Sequence, residues 1–141
     1  MKTSSDHVSN LSELYQQWHD TKGGSVDAWM EILADEIDFK SLAMGHEDGA
    51  KFTAPRIGKK AVQGYFEELL EDWKMISFTV DDFIADGNKI CVLCSTAWVN
   101  KATGKKVETP KVDLWEFEDR KAISFFEFYD TAALLEGANP G

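Results

Sequence analysis

Two carboxylates interrupt the most apolar stretches of this 141-residue chain. Asp113 sits in Val112-Asp113-Leu114-Trp115, and Glu127 sits in Phe125-Phe126-Glu127-Phe128-Tyr129. An ionised carboxylate among apolar neighbours is costly, so such a group is paired, hydrogen-bonded or protonated. Burial of that kind raises a carboxylate pKa and suits it to general acid/base work. Lys111 precedes Asp113 by two residues, so on a strand the two side chains share a face. The pair reads either as a proton donor or base tuned by burial and by the lysine, or as a structural ion pair at a sheet surface. Glu127 shares a face with Phe125 and Tyr129. It reads either as an acid/base in an aromatic pocket or as a solvent-facing residue on a strand that packs the core through Phe126 and Phe128. Both parities of that strand are aromatic, so period leaves the choice open. Asp130 reads as the N-cap of a short helix that runs to Glu136, which explains it without chemistry.

Other chemistries find little support. His46-Glu47-Asp48 offers no set of three or four convergent metal ligands, and no metal or other cofactor is expected. His7 and His19 are expected on the surface. Cys91 and Cys94 have C-x-x-C spacing but fall on a strand, where residues three apart point to opposite faces, so they read as buried structural thiols. There is no phosphate-cradling glycine loop, dinucleotide fingerprint or Ser-His-Asp arrangement. The formal charge of −10 argues against a nucleic-acid partner. No apolar run approaches the roughly 20 residues that span a bilayer, so no membrane partner is expected. The polar start MKTSSDHVSN is unlike a signal peptide, which predicts a cytoplasmic protein with a frayed segment over residues 1–8.

The elements that must position the carboxylates are legible from period. Val8, Leu11, Leu14, Tyr15 and Trp18 mark a first amphipathic helix stopped at Gly23-Gly24. Ser25 caps a second helix with Val26, Trp29, Met30, Ile32 and Leu33 on its buried face. Ile37–Leu42 alternates as a short strand, and residues 43–58 read as a loop beside a pocket mouth. Lys59–Trp73 is the clearest helix, with Ala61, Val62, Tyr65, Phe66, Leu69, Leu70 and Trp73 on one stripe and Glu67, Glu68, Glu71 and Asp72 on the wet face. Four strands follow: Ile76–Ala85, Lys89–Asn100, Val107–Glu118 and Ala122–Tyr129, with tight turns between them. The chain is thus a single α+β domain over residues 1–141. Strand Ile90–Val99 is apolar at both parities, so one sheet face packs on helices and the other needs a second cover. A second copy of the chain is the simplest cover, which predicts a homodimer.

Helices followed by a curved four-strand meander resemble the cone-shaped nuclear transport factor 2-like fold over roughly Leu11 to Leu135. Tyr15 on the first helix, Leu33-Ala34-Asp35-Glu36 before the first strand and Gly58-Lys59-Lys60-Ala61-Val62 at the third helix carry part of the resemblance. Val112-Asp113-Leu114-Trp115-Glu116-Phe117-Glu118-Asp119 followed by Lys121 is similar to the SnoaL-like polyketide cyclase and ketosteroid isomerase branch. That resemblance implies a mostly apolar cavity at the open end of the cone, holding a small apolar molecule. It implies Tyr15 and a neutral Asp113 as oxyanion donors, the protonated acid being a pattern known from ketosteroid isomerase. It places Glu127 where related cyclases and epoxide hydrolases carry an acid/base carboxylate. The isomerase's base would fall at Ser41, which cannot take a proton unaided, and the hydrolases' Arg-x-Asp is replaced by Ser95-Thr96-Ala97-Trp98. The expected machinery is therefore Asp113, Glu127 and Tyr15, with Trp18, Phe39, Ser41, Phe66, Trp98, Lys111, Phe125 and Tyr129 against the ligand. The implied function is cofactor-independent cyclisation, isomerisation or hydration of an apolar carbonyl compound; the alternative is a non-catalytic ligand-binding or association module.

Overall fold

The computed structural model describes residues 3–45 and 51–141. Helix α1 runs Ser4–Asp20, α2 runs Val26–Ile32, and strand β1 runs Leu33–Ser41. A 3-10 turn at Lys51–Thr53 and the short strand β2 (Arg56–Ile57) lead into α3 (Lys59–Asp72). Strands β3 (Trp73–Asp86), β4 (Lys89–Asn100), β5 (Lys106–Glu118) and β6 (Lys121–Tyr129) precede α4 (Thr131–Ala138). The described strands form one sheet of six in the order β2-β1-β6-β5-β4-β3. The four-strand meander is antiparallel throughout, as its period and turns predict.

Several local expectations are corrected. The first helix begins at Ser4, with Thr3 as its N-cap, ahead of the periodic residues that start at Val8. Thr3 and Asp6 form a capping box: the Asp6 N–H donates to Thr3 Oγ1 at 3.2 Å and the Thr3 N–H to Asp6 Oδ2 at 3.1 Å. His7 is 4 % exposed and stacks on Phe117 with ring centroids 4.0 Å apart, because the extra turn lays it over the β5 end. His19 is half-buried and accepts the Phe78 N–H on Nδ1 at 3.0 Å. Ser25 holds the N-cap position of α2 without a side-chain capping bond. Leu33 is the first residue of β1 rather than part of α2, and β1 includes Leu33-Ala34-Asp35-Glu36 with a register shift between Leu33 and Asp38. His46, Glu47 and Asp48, and part of the expected 43–58 loop, lie outside the described residues.

Sheet parity decides what the aromatic strands left open. On β6, Phe125 and Glu127 are buried while Phe126 and Phe128 are half-buried on the opposite face, their rings stacked 4.3 Å apart. On β5, Asp113, Trp115 and Phe117 point inward, and Val112 and Leu114 point outward. The helices cover the inner face: Leu11, Leu14, Tyr15 and Trp18 of α1 and Val62, Tyr65, Phe66 and Leu69 of α3 are buried. Trp29 of α2 stacks on Trp115 at 5.7 Å. The outer face keeps apolar Leu93, Val112, Leu114, Phe126 and Phe128 half-exposed. Cys94 is buried and Cys91 is half-buried, and both are free thiols. Among the described residues, no helix is long and apolar enough to cross a membrane.

Candidate functional site

Register alone brings the chemistry-bearing residues together. Asp113 of β5 pairs with Glu127 of β6, Lys111 pairs with Tyr129, and Ser41 of parallel β1 pairs with Glu127 on its other side. Directly paired side chains on one face lie within contact distance. These residues all project beneath α1 and α3.

Lys111 is the hub. Its ammonium lies 2.8 Å from Glu127 Oε1 and 3.1 Å from Asp113 Oδ1, and sits 4.9 Å from the centroid of the Phe78 ring. The carboxylates are 2 % exposed at their side chains, and the lysine 10 %. Burial disfavours the lysine charge, but Asp113 and Glu127 outweigh it and hold its pKa well above the ordinary value. The Asp113 Oδ1 contact is an ion pair off the hydrogen-bonding line, so that oxygen receives no directed hydrogen bond. Its other oxygen, Oδ2, accepts from Tyr15 Oη at 2.6 Å, and Tyr15 Oη in turn accepts from Trp115 Nε1 at 2.9 Å. Burial raises the Asp113 pKa; Lys111 opposes this, and Glu127 adds to it. Asp113 therefore sits between Tyr15 and Lys111 in a site whose burial holds its pKa above the ordinary value.

Glu127 is held on every side. Ser41 Oγ donates to Oε2 at 2.6 Å, and Tyr65 Oη reaches both carboxylate oxygens at 3.1 Å. Ser41 also bonds the Tyr129 hydroxyl, which accepts the Ala43 N–H at 3.3 Å. Burial, reinforced by Asp113 for Tyr15 and by Glu127 for Tyr65, keeps both phenols well above their ordinary pKa, so they remain neutral donors. Burial and Glu127 push Tyr129 up to about 12. The Cys94 thiol is raised by burial and then by Asp113, which makes it an inert wall rather than a nucleophile.

Two cavities open on this cluster. The larger, about 70 Å³, is lined by Lys111, Glu127 and Tyr129 together with Trp18, Tyr65, Trp73, Phe78 and Trp98. The smaller, about 40 Å³, is bounded by Tyr15, Asp113, Lys111 and Glu127, with Trp18, Phe39, Phe66, Trp115 and Phe125 around them. Tyr15, Asp113 and Glu127 thus converge on one space. Of the residues expected against a ligand, Trp18, Phe39, Phe66, Trp98, Lys111, Phe125 and Tyr129 line one cavity or both. Ser41 lines neither; it is 1 % exposed and positions Glu127. Asp130 is an exposed cap whose Oδ1 accepts the Ala133 N–H at 3.0 Å, outside the site.

Sequence reasoning missed Tyr65 and Trp115 as polar partners, and Trp73 as a cavity wall. Each was legible only as a buried aromatic, although a buried tyrosine or tryptophan needs a polar partner, which is a usable signal. Among the described residues, no group of three or more His, Cys, Asp and Glu could hold a metal ion.

Comparisons with known proteins agree with the fold. The model of the SnoaL-like domain family matches residues 12–125. An NTF2-like protein of Burkholderia thailandensis superposes with a TM-score of 0.81 at 20% identity, covering 99% of this chain and 100% of that one. A protein of Jannaschia described as a SnoaL-like polyketide cyclase gives 0.76 at 16% identity, covering 96% and 92%. A protein of Catenulispora acidiphila with a ketosteroid isomerase-like fold, solved in complex with trimethylamine, gives 0.69 at 13% identity, covering 86% and 88%. A comparison with curated proteins finds no match.

Proposed function

The chain belongs to the SnoaL-like domain family, with an α+β NTF2-like fold, and from that premise we propose that it is a cofactor-independent acid/base enzyme acting on a small apolar carbonyl compound. One observation supports this above the others. A buried lysine is clamped between two carboxylates on the wall of an aromatic cavity. With both acids ionised the cluster carries a net negative charge in an apolar site, so one further proton is favoured there.

The chemistry follows from the partners. Glu127 takes a proton from the carbon beside the substrate carbonyl, the electron pair moves onto the carbonyl oxygen, and Glu127 later returns the proton to carbon. Lys111 stands beside Glu127 throughout and offers its positive charge to the developing enolate oxygen. When Asp113 is protonated, its hydroxyl donates to Tyr15 Oη, and the Tyr15 hydrogen is released toward the smaller cavity as an oxyanion donor. Ser41, at the position where the resemblance puts an isomerase base, hydrogen-bonds Glu127 instead, so the carboxylate from the neighbouring strand takes that role.

A second reading is ligand binding without turnover. One observation favours it: Glu127 is already bonded by Lys111, Ser41 and Tyr65, so both its oxygens are engaged within the protein. Hydrogen–deuterium exchange at the α-carbon of 2-alkanones separates the two, since only the enzyme reading requires Glu127-dependent exchange. Independently of either reading, we propose a homodimer, with a second copy covering the outer sheet face around Leu114, Phe126 and Phe128, which an antiparallel sheet wet on that side would not make apolar.

A further inference from the structure

A base that moves a substrate proton must also trade that proton with water, and Glu127 is 2 % exposed. Its hydrogen bonds lead in three directions. The Lys111 ammonium leads to Asp113, which returns into the same buried cluster. Tyr65 Oη lies 3.1 Å from both Glu127 oxygens, but that phenol is buried and its ring packs among Phe39, Phe52 and Phe66. Ser41 leads outward. Its Oγ donates to Glu127 Oε2 at 2.6 Å, and it is also bonded to the Tyr129 hydroxyl. A serine hydroxyl carries one hydrogen, so with Glu127 ionised the Tyr129 hydroxyl is the donor in the second bond. The three side chains form a directed line from Tyr129 through Ser41 to Glu127.

Strand geometry fixes that line. Ser41 pairs with Glu127 across β1 and β6, and Tyr129 follows Glu127 by two residues, so all three share a face. The outer member differs from the inner two: Ser41 is 1 % exposed, whereas Tyr129 is half-buried. Tyr129 Oη also accepts the N–H of Ala43, which stands between the exposed Leu42 and Met44 where the chain leaves the end of β1. We propose that Glu127, Ser41 and Tyr129 form a proton relay joining the buried carboxylate to water at the end of β1. It rests on the acid/base reading for the proton it carries. Once Glu127 is protonated at Oε2, it donates to Ser41 Oγ, Ser41 passes its hydrogen to Tyr129 Oη, and Tyr129 gives its own to water. Three O–H bonds break and three form, which leaves Glu127 ionised and both hydroxyls neutral. Burial and Glu127 push the Tyr129 pKa up to about 12, so the phenol is a neutral donor before and after the transfer. Ser41 and Tyr129 are thus positioning residues that act through Glu127.

Two measurements test the relay, and the first needs no ligand. With tyrosine labelled ¹³C at Cζ in equal parts of H₂O and D₂O, the full chain should show the two isotope-shifted Cζ signals of Tyr129 merged by hydroxyl exchange. Those of Tyr65 should stay split. A Tyr65 hydroxyl that exchanges faster than that of Tyr129 overturns the proposal. The second measurement follows loss of deuterium from α-deuterated 2-alkanones in H₂O by NMR. Tyr129→Phe should slow that loss about 10–100-fold, because the deuteron then returns from Glu127 to carbon before it reaches water. Imidazole, a small proton carrier, should restore the rate in the variant as its concentration rises and leave the wild type unchanged. A merely structural defect is not repaired by a proton carrier. Deuterium loss at the wild-type rate in Tyr129→Phe, or a slowed rate that imidazole does not restore, overturns the relay. If that variant does not fold, Ser41→Ala breaks the line one step earlier and is read in the same way. Failure of the acid/base reading looks different: no ketone loses deuterium faster with the wild type than in buffer, and the Tyr129 and Tyr65 hydroxyls then decide the relay alone.

Discussion

Asp113 and Glu127 stand directly opposite each other across β5 and β6, and the single ammonium of Lys111 reaches both, at 3.1 and 2.8 Å. Two like charges paired on one buried sheet face are tolerable only with that cation between them. The lysine is therefore the condition for having two acids in the cavity at all.

Replacing the cation exposes this dependence. Lys111→Met leaves two carboxylates facing each other without compensation and should cost about 3–5 kcal/mol in urea unfolding. Adding Glu127→Gln to that variant should recover part of the loss, because one buried charge then disappears. Two losses that simply add would contradict the coupling.

The Tyr15 hydroxyl ties α1 to the acid. Tyr15→Phe removes the donor to Asp113 Oδ2 and leaves the Trp115 N–H without its acceptor, so about 1–3 kcal/mol of stability should be lost. The hydrogen bond from Tyr15 also lowers the Asp113 pKa, so its removal should raise the Asp113 midpoint in a ¹³C-carboxyl titration.

Asp113 also gives the protein a pH signature. Its folded pKa lies above the ordinary value of 3.8, chiefly through burial, so the folded state holds that proton more tightly than the unfolded chain. The resulting stability is complete below about pH 3.8 and is lost as pH rises through the raised folded pKa. Asp113→Asn lacks this slope. Its stability relative to the wild type should rise as pH increases from 3.8 upward, measured by unfolding at a series of pH values, and a flat difference would contradict the assignment.

The outer sheet face yields a prediction on assembly. A homodimer has twice the 15.9 kDa chain mass by light scattering, and Phe128→Glu, which puts a charge into the stacked Phe126–Phe128 pair, should return it to the mass of one chain. A wild-type mass of one chain at micromolar concentration would remove the dimer.

The fold was largely readable because its signals are periodic: α3 by its stripe, the meander by the switch to strand period and its turns. The parallel docking of β1 beside β6 was not, since nothing local encodes a partner strand more than eighty residues away. At the site, Lys111 and Asp113 announced themselves by spacing. Glu127 could be named but not placed, because Phe125, Phe126 and Phe128 make both faces of β6 apolar and only the docked helices distinguish them. Tyr65 and Trp115 were hidden for a related reason: helical or strand period reports that an aromatic is buried, not where its polar tip ends. The start of α1 was missed because its Thr3–Asp6 cap is polar and carries no hydrophobic period.

The central claim, that Glu127 moves a proton, is tested most directly by α-proton exchange. With 2-alkanones in D₂O followed by NMR, the wild-type chain should accelerate exchange at the carbon beside the carbonyl, and Glu127→Gln should lose about 10²–10⁴-fold of that rate while still binding the ketone. Exchange in Glu127→Gln at the wild-type rate, or wild-type exchange no faster than buffer for every ketone in the series, would contradict it.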